Sequence, residues 1–252
     1  MEKERLYQQI KALHLKRPMT NMYDLSVIDH ATNIWTEDEG VLFSYVDHGI
    51  NRLSFCVCEK NVLDSLINRI QAGTYYLEYL SKDRDDTISG LTLVTRMKRL
   101  ANPDCRTVFE DHSLSQYRDD TIGETAKPQD VSEINKILWS IFRTEISHLL
   151  CNEELADRIK NGQIMIHRDK IIDAVLMLDI MPKKFYINQI VNCGEKRNIH
   201  AMLQNRLWRY AQNGGKYMYA WVEEDNIASM KFHGKYGMRH DGMWSMIWRL
   251  ER

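Results

Sequence analysis

The chemistry this chain could perform gathers in two short segments near its C-terminal end. The first, Gly194-Glu195-Lys196-Arg197-Asn198-Ile199-His200-Ala201, joins a strand-like run to a strong helical one that begins near Asn198. The start of a helix presents backbone N–H groups without intrahelical partners and the positive end of the helix dipole, which suits an anion such as a pyrophosphate. Lys196 and Arg197 would add charge there, and Asn198 tolerates a left-handed backbone better than most residues. The second segment, from Trp221 to Met238, carries Glu223, Asn226 and His233. A histidine can donate a proton near neutral pH. No Ser–His–Asp or Cys–His signature accompanies these residues, and a direct displacement needs none. The cysteines, Cys56, Cys58, Cys105, Cys151 and Cys193, form no CxxC pair. Cys56 and Cys58 face one side of a strand, but no second ligand pair with zinc spacing exists. Free, mostly buried thiols and no metal are expected.

The elements that must position these residues can be read from periodicity. Residues 3–15 predict a helix with Leu6, Ile10, Leu13 and Leu15 on or near one face. Residues 40–58 read as a hairpin turning over 47–51, followed by a helix over 62–70, a stop at Gly73 and a strand over 74–80. Residues 91–100 fit helix or strand. Residues 102–129 have little apolar content and an acidic cluster around Glu110-Asp111, which places a domain junction near residue 120. Beyond it Asp130 is expected to cap a helix carrying Val131, Ile134, Ile137, Leu138, Ile141 and Phe142 at helical spacing. A helix over 152–160, a hairpin over 163–178, a strand over 185–191, a helix over 198–213, a strand over 217–222, a helix over 227–236 and a strand over 243–250 follow.

That order resembles the GNAT N-acetyltransferase superfamily over residues 122–252. The specific match is Trp221-Val222-Glu223-Glu224-Asp225-Asn226-Ile227-Ala228-Ser229-Met230-Lys231-Phe232-His233-Gly234-Lys235-Tyr236-Gly237-Met238. It resembles the family's closing motif: a strand, an Asn, a small residue soon after, an aromatic pair, then Gly and an apolar residue opening the last strand. The resemblance implies a site for acetyl-CoA or another acyl-CoA, built from Ile190, Val191, Lys196, Arg197, Asn198, Ile199, His200, Ala201 and Asn226. The family's Arg/Gln-x-x-Gly-x-Gly/Ala loop is altered: aligned on Ile199, Glu195, Asn198 and His200 replace the basic residue and the two glycines. The resemblance further implies that His233, seven residues after Asn226, stands where the family commonly has the Tyr that protonates the leaving thiolate. Tyr236 is its neighbour, read as a core aromatic. The strand over 185–191 lacks the Glu many members carry, leaving Glu223, Glu145 or His148 as candidate bases, or direct capture of an already deprotonated amine.

The first half echoes this arrangement: strand 53–58, helix 60–71, strand 74–80 and Arg96-Met97 parallel strand 185–191, helix 198–213, strand 217–222 and Met238-Arg239. The expectation is therefore an α/β protein of mixed sheets, with a partial GNAT-like domain at 1–120, walling the acceptor cleft, before an acyltransferase domain at 121–252. The implied function is N-acyl transfer from a thioester to an amine of a small molecule or peptide. A carrier-protein donor and an inactive binding module are the alternatives. The balance of 34 basic and 35 acidic residues gives no nucleic-acid footprint, and no run suits a signal peptide or membrane span. A cytoplasmic location is expected, with assembly as a homodimer left open.

Overall fold

The run Val41-Leu42-Phe43 is buried at every position, which a strand with one wet face would not be. The reason is a helix on each side. In this computed structural model, which describes residues 2–22, 25–110, 114 and 116–252, helix α1 (Glu2–His14) buries Leu6, Ile10 and Leu13 against Val41, Phe43 and Cys56, whereas Leu15, expected on the same face, lies past the helix end and is exposed. Strands β1 (Met19–Thr20), β2 (Asn33–Glu37), β3 (Gly40–Asp47) and β4 (Ile50–Val57) follow, then α2 (Lys60–Asn68), β5 (Thr74–Ser81) and β6 (Thr92–Asn102). Leu63, Leu66 and Ile67 of α2 cover the opposite face, on Leu42, Leu53 and Phe55. The β3–β4 ladder closes at Asp47–Ile50, so the turn is only His48-Gly49. Both residues have positive φ, 48° and 82°, the geometry that matches the twist of a two-residue hairpin. Cys56 lies in the core, where burial pushes its thiol up to about 11; all five cysteines are free, but against expectation only Cys56 and Cys105 are buried.

The second region is built from β7 (Glu124–Thr125), α3 (Val131–Ile141), α4 (Asn152–Lys160), β8 (Ile164–Arg168), β9 (Ile172–Met181), β10 (Lys184–Asn192), α5 (Lys196–Gln212), β11 (Tyr217–Glu223), α6 (Ile227–Lys235) and β12 (Arg239–Glu251). Strand order here is β6-β11-β10-β9-β8-β7. Ile199, Met202, Leu203, Leu207 and Tyr210 of α5 pack on Phe185, Ile187, Met218 and Ala220. Ile134 and Leu138 of α3, with Leu155 and Ile159 of α4, pack on Ile164, Ile166, Val175 and Val191. Asp130 does not cap α3 through its side chain. Its carboxylate accepts the Lys127 N–H at 2.7 Å and the Arg168 guanidinium at 2.6 Å, ordering the short turn before the helix.

The chain forms two compact units that do not divide at residue 120. One comprises residues 1–96, 144–148 and 243–252; the other comprises 97–143 and 149–242. Residues 91–100, ambiguous by periodicity, fall almost wholly in β6, whose end, 97–102, pairs antiparallel with β11. Residues 244–251 of β12 pair antiparallel with β5. Each half of the sequence thus lends a strand to the unit centred on the other half, and no local pattern announces such a partner. Asp111 of the acidic cluster lies outside the described residues. Among those described, no helix is long and apolar enough to cross a membrane.

Candidate functional site

Strands β10 and β11 run parallel and share four register pairs, from Lys184–Tyr217 to Ile187–Ala220. There the pairing stops, although β10 continues to Asn192 against β9 and β11 continues to Glu223 against β6. The cause is a bulge: against β9, Ile187 pairs Leu178 and Gln189 pairs Met177, leaving Asn188 without a register partner. An extra residue bends a strand and shifts its alternation. Phe185 and Ile187 face α5, and after the bulge Ile190 still does, whereas Val191 joins the core under α3 and α4. The edge left beyond Ile187 offers backbone donors and acceptors to an extended chain.

The loop from β10 to α5 is drawn against Asp173. The N–H groups of Cys193 and Gly194 donate to its carbonyl at 2.7 and 3.1 Å. A Cβ on Gly194 would stand 2.2 Å from its carboxylate oxygen, so only glycine fits there. The Asp173 carboxylate also holds His167 at 2.6 Å, and the Asn198 amide reaches the same imidazole nitrogen at 3.0 Å. Asn198 is therefore a buried residue of the helix base. Arg197 pairs with Asp119 at 2.7 Å, and Lys196 is exposed at the helix start. His200 points inward. It stacks between Tyr117 and Phe232, with centroids 4.7 and 4.8 Å away, and its Nδ1 meets the Tyr236 hydroxyl at 2.8 Å. Burial, with the charges of Lys235 and Lys196, lowers its pKa to about 4. The bulk that the sequence places in this loop is thus packed into the core. Ile199 and Ala201 are core residues too.

His233 is 4% exposed, and its Nδ1 finds no hydrogen-bond partner among the described residues. Burial lowers its pKa to about 4, so at neutral pH the ring is uncharged. It can offer an N–H to a sulfur, but it holds no extra proton to deliver. Tyr236 is fully buried; its hydroxyl is engaged by His200, and burial pushes its pKa well above the tyrosine range. Asn226 caps α6, accepting the Ser229 N–H at 2.9 Å. Gly237, at φ 67°, ends that helix and lets Asn102 donate to Tyr236 O at 3.0 Å. Glu223 ends β11 beyond the last β10 pair and binds Arg143 at 2.7 Å. The other two candidate bases, Glu145 and His148, belong to the first unit and not to this site.

Periodicity carried one feature that motif reasoning passed over. Met218, Ala220 and Val222 are buried on one face of β11, so Tyr217, Tyr219 and Trp221 share the other, only partly covered. Tyr186 of β10 stacks flat on Tyr219 there, with centroids 4.7 Å apart. The alternation Tyr-x-Tyr-x-Trp is the signal that could have found this wall.

No protein-family model matches the sequence, and no curated protein matches it. Solved structures do. A protein of the GNAT family from Novosphingobium aromaticivorans superposes at TM-score 0.54 and 10% identity, over 90% of this chain and 93% of that one. A GCN5-related N-acetyltransferase from Sphaerobacter thermophilus gives 0.56 at 12% identity, over 90% and 84%. A tandem GNAT protein from the clavulanic acid biosynthesis pathway gives 0.56 at 9% identity, over 84% and 79%. Likeness at such identity is a likeness of fold: this chain folds as the GNAT acetyltransferases do.

Proposed function

We propose that this protein is an N-acyltransferase that moves an acyl group from acetyl-CoA, or a related acyl-CoA, to an amine of a small molecule or peptide. The observation that carries this reading is the end of the β10–β11 ladder at Ile187–Ala220 beside the start of α5. A pantetheine arm is an extended chain with two amides, and it can add to the freed edge at residues 188–192 as a strand would. Ile190 and Val191 line that edge, and Lys196 with the first N–H groups of α5 would face the pyrophosphate. The amine nitrogen attacks the thioester carbonyl, the C–S bond breaks, the thiolate departs, and the ammonium proton passes to a base. Glu223 would be that base, drawn from its ion pair with Arg143, or solvent would take the proton. His233 would donate a hydrogen bond to the departing sulfur from a neutral ring. The Tyr186, Tyr219 and Trp221 face suits an acceptor bearing a cation or an aromatic group.

One observation favours a carrier-protein donor as a second reading. Cys193 and Gly194 already spend their N–H groups on Asp173, and Arg197 is paired with Asp119, so little is left for a nucleotide. A phosphopantetheine arm needs the opened edge alone. The first half we read as a partial copy of the same design, because β4–α2–β5 repeats the strand–helix–strand order with a short parallel pairing. Calorimetry with acetyl-CoA and with pantetheine, each to about 1 mM, tests the donor. Release of free thiol with a panel of amines tests the reaction. No binding of either donor would overturn the proposal, and binding of pantetheine as tight as that of acetyl-CoA would select the carrier-protein reading.

A further inference from the structure

A second opening between parallel strands lies inside the first compact unit. β4 and β5 pair only at Arg52–Tyr76 and Leu53–Leu77. Beyond that point β4 keeps β3 on one edge, while its other edge takes β1, which pairs Thr20 with Cys56 and Met19 with Val57. At the vertex the Asn21 side chain spans both strands. Its Nδ2 donates to Leu53 O and Glu78 O, each at 2.9 Å, and its Oδ1 accepts the Phe55 N–H at 2.8 Å. The Thr20 hydroxyl donates to Phe55 O at 2.8 Å, and the Asn21 N–H donates to the same oxygen at 3.4 Å. Both donors and the acceptor of the carboxamide are thus used on backbone that strand separation would otherwise leave unpaired.

An opened edge of this kind is what an amide-bearing arm would fill. We infer that residues 19–22 occupy a thioester-donor slot in the first half, with the Asn21 carboxamide standing in for an amide of a pantetheine arm. The chain consequently takes one donor, in its second half. The inference rests on reading the first half as a partial copy. A second observation agrees with it: the charge of Lys60 at the start of α2 is spent on Asp86, whereas Lys196 at the start of α5 is exposed.

The test uses the full chain and pantetheine as the probe. Calorimetry should give one equivalent bound to the wild type, and a second, weaker one to Asn21→Ala, which frees Leu53 O, Glu78 O and the Phe55 N–H at the vertex while β1 keeps its pairs with β4. Two equivalents on the wild type would overturn the inference, as would a folded Asn21→Ala that binds no more than the wild type. If Asn21→Ala does not fold, amide hydrogen exchange on the wild type decides. The Phe55 amide should be protected and unmoved by pantetheine, and slowing of its exchange on adding pantetheine would overturn the inference. A wild type that binds none and an Asn21→Ala variant that binds one would uphold the filled slot while refuting the proposed function of the second half.

Discussion

The two strand–helix–strand motifs, β4–α2–β5 and β10–α5–β11, begin alike and finish differently. In each, a parallel ladder ends early, after two register pairs in the first and four in the second. In the first, the chain lays its own Asn21 into the vertex and ties the flank with ions. Arg52, 3% exposed, donates to Thr144 O at 2.9 Å, Glu145 O at 2.8 Å and Asp47 at 3.3 Å. His148 bridges Asp47 at 2.8 Å and Glu78 at 3.4 Å, and Ser245 donates to the other Glu78 oxygen. In the second, ion pairs are present too, Arg143 with Glu223 and Arg99 with Asp241, but the half-covered sheet face is aromatic, with Tyr186 on Tyr219. Topology makes the opening, and the side chains around it decide whether it serves as scaffold or site.

If that contrast holds, substitutions at the first opening should act on stability and those at the second on binding. The largest effect is expected from Arg52→Ala. It strips the Thr144 and Glu145 carbonyls of a buried cation, while Asp47 keeps His148 and His48, and hydrogen bonds to a charged group are worth about 1.5–3 kcal/mol each. Chemical denaturation should show that loss, and a variant as stable as the wild type would break the contrast at its strongest point.

Gly194→Ala should come next, as the counterpart in the second motif. The added Cβ would stand 2.2 Å from the Asp173 carboxylate, so the loop at the start of α5 must move. Overpacking of this kind costs about 1–3 kcal/mol. Felt at the proposed donor site, it should weaken binding of acetyl-CoA there about tenfold. An unchanged dissociation constant with an unchanged melting curve would show that the loop is not part of the site.

A smaller effect lies in the pH dependence of the first motif. Burial opposes the charged form of His148, but hydrogen bonds to Asp47 and Glu78 outweigh it and raise the pKa to about 9. A raised pKa stabilises the fold fully below the unfolded value of about 6.5, and that stability is lost as pH rises through about 9. The side chain is 51% exposed, so screening holds the contribution to about 1 kcal/mol. Melting temperature should therefore fall between about pH 6.5 and pH 9 in the wild type and fall less in His148→Ala. Equal slopes would remove His148 from the scaffold.

His233→Ala should do least. A neutral ring offers one hydrogen bond, worth about 0.5–1.5 kcal/mol, so turnover should drop by no more than about tenfold. The wild-type pH–rate profile should show no inflection near 6.5, because burial has moved this histidine to about 4. A limb near 6.5 that vanishes in the variant would restore a proton-delivering role and contradict the burial seen here.

The closing motif was legible because it is local: Asn226 caps the next turn, and Gly237 must hold a positive φ to end α6. Helical spacing likewise announced the face of α5 that packs on the sheet. His200 was legible only as a departure from a motif, since its inward rotamer depends on Tyr117 and Phe232, far from it in sequence. Asp173 was not legible at all, because its role is to receive a loop that comes twenty residues later.

What the residues determined on their own was therefore set within a turn or a strand: most helices and strands, though not β1, β2 or the class of residues 91–100, with the capping Asn226 and the glycine-ended last helix. These depend on periodicity and backbone preference, which act between neighbours. Only the tertiary structure decided which strands exchange between the halves, which opening the chain fills with Asn21, and whether His233 carries a charge. Each of those turns on partners brought together from distant parts of the chain, and on how much water their packing leaves around them.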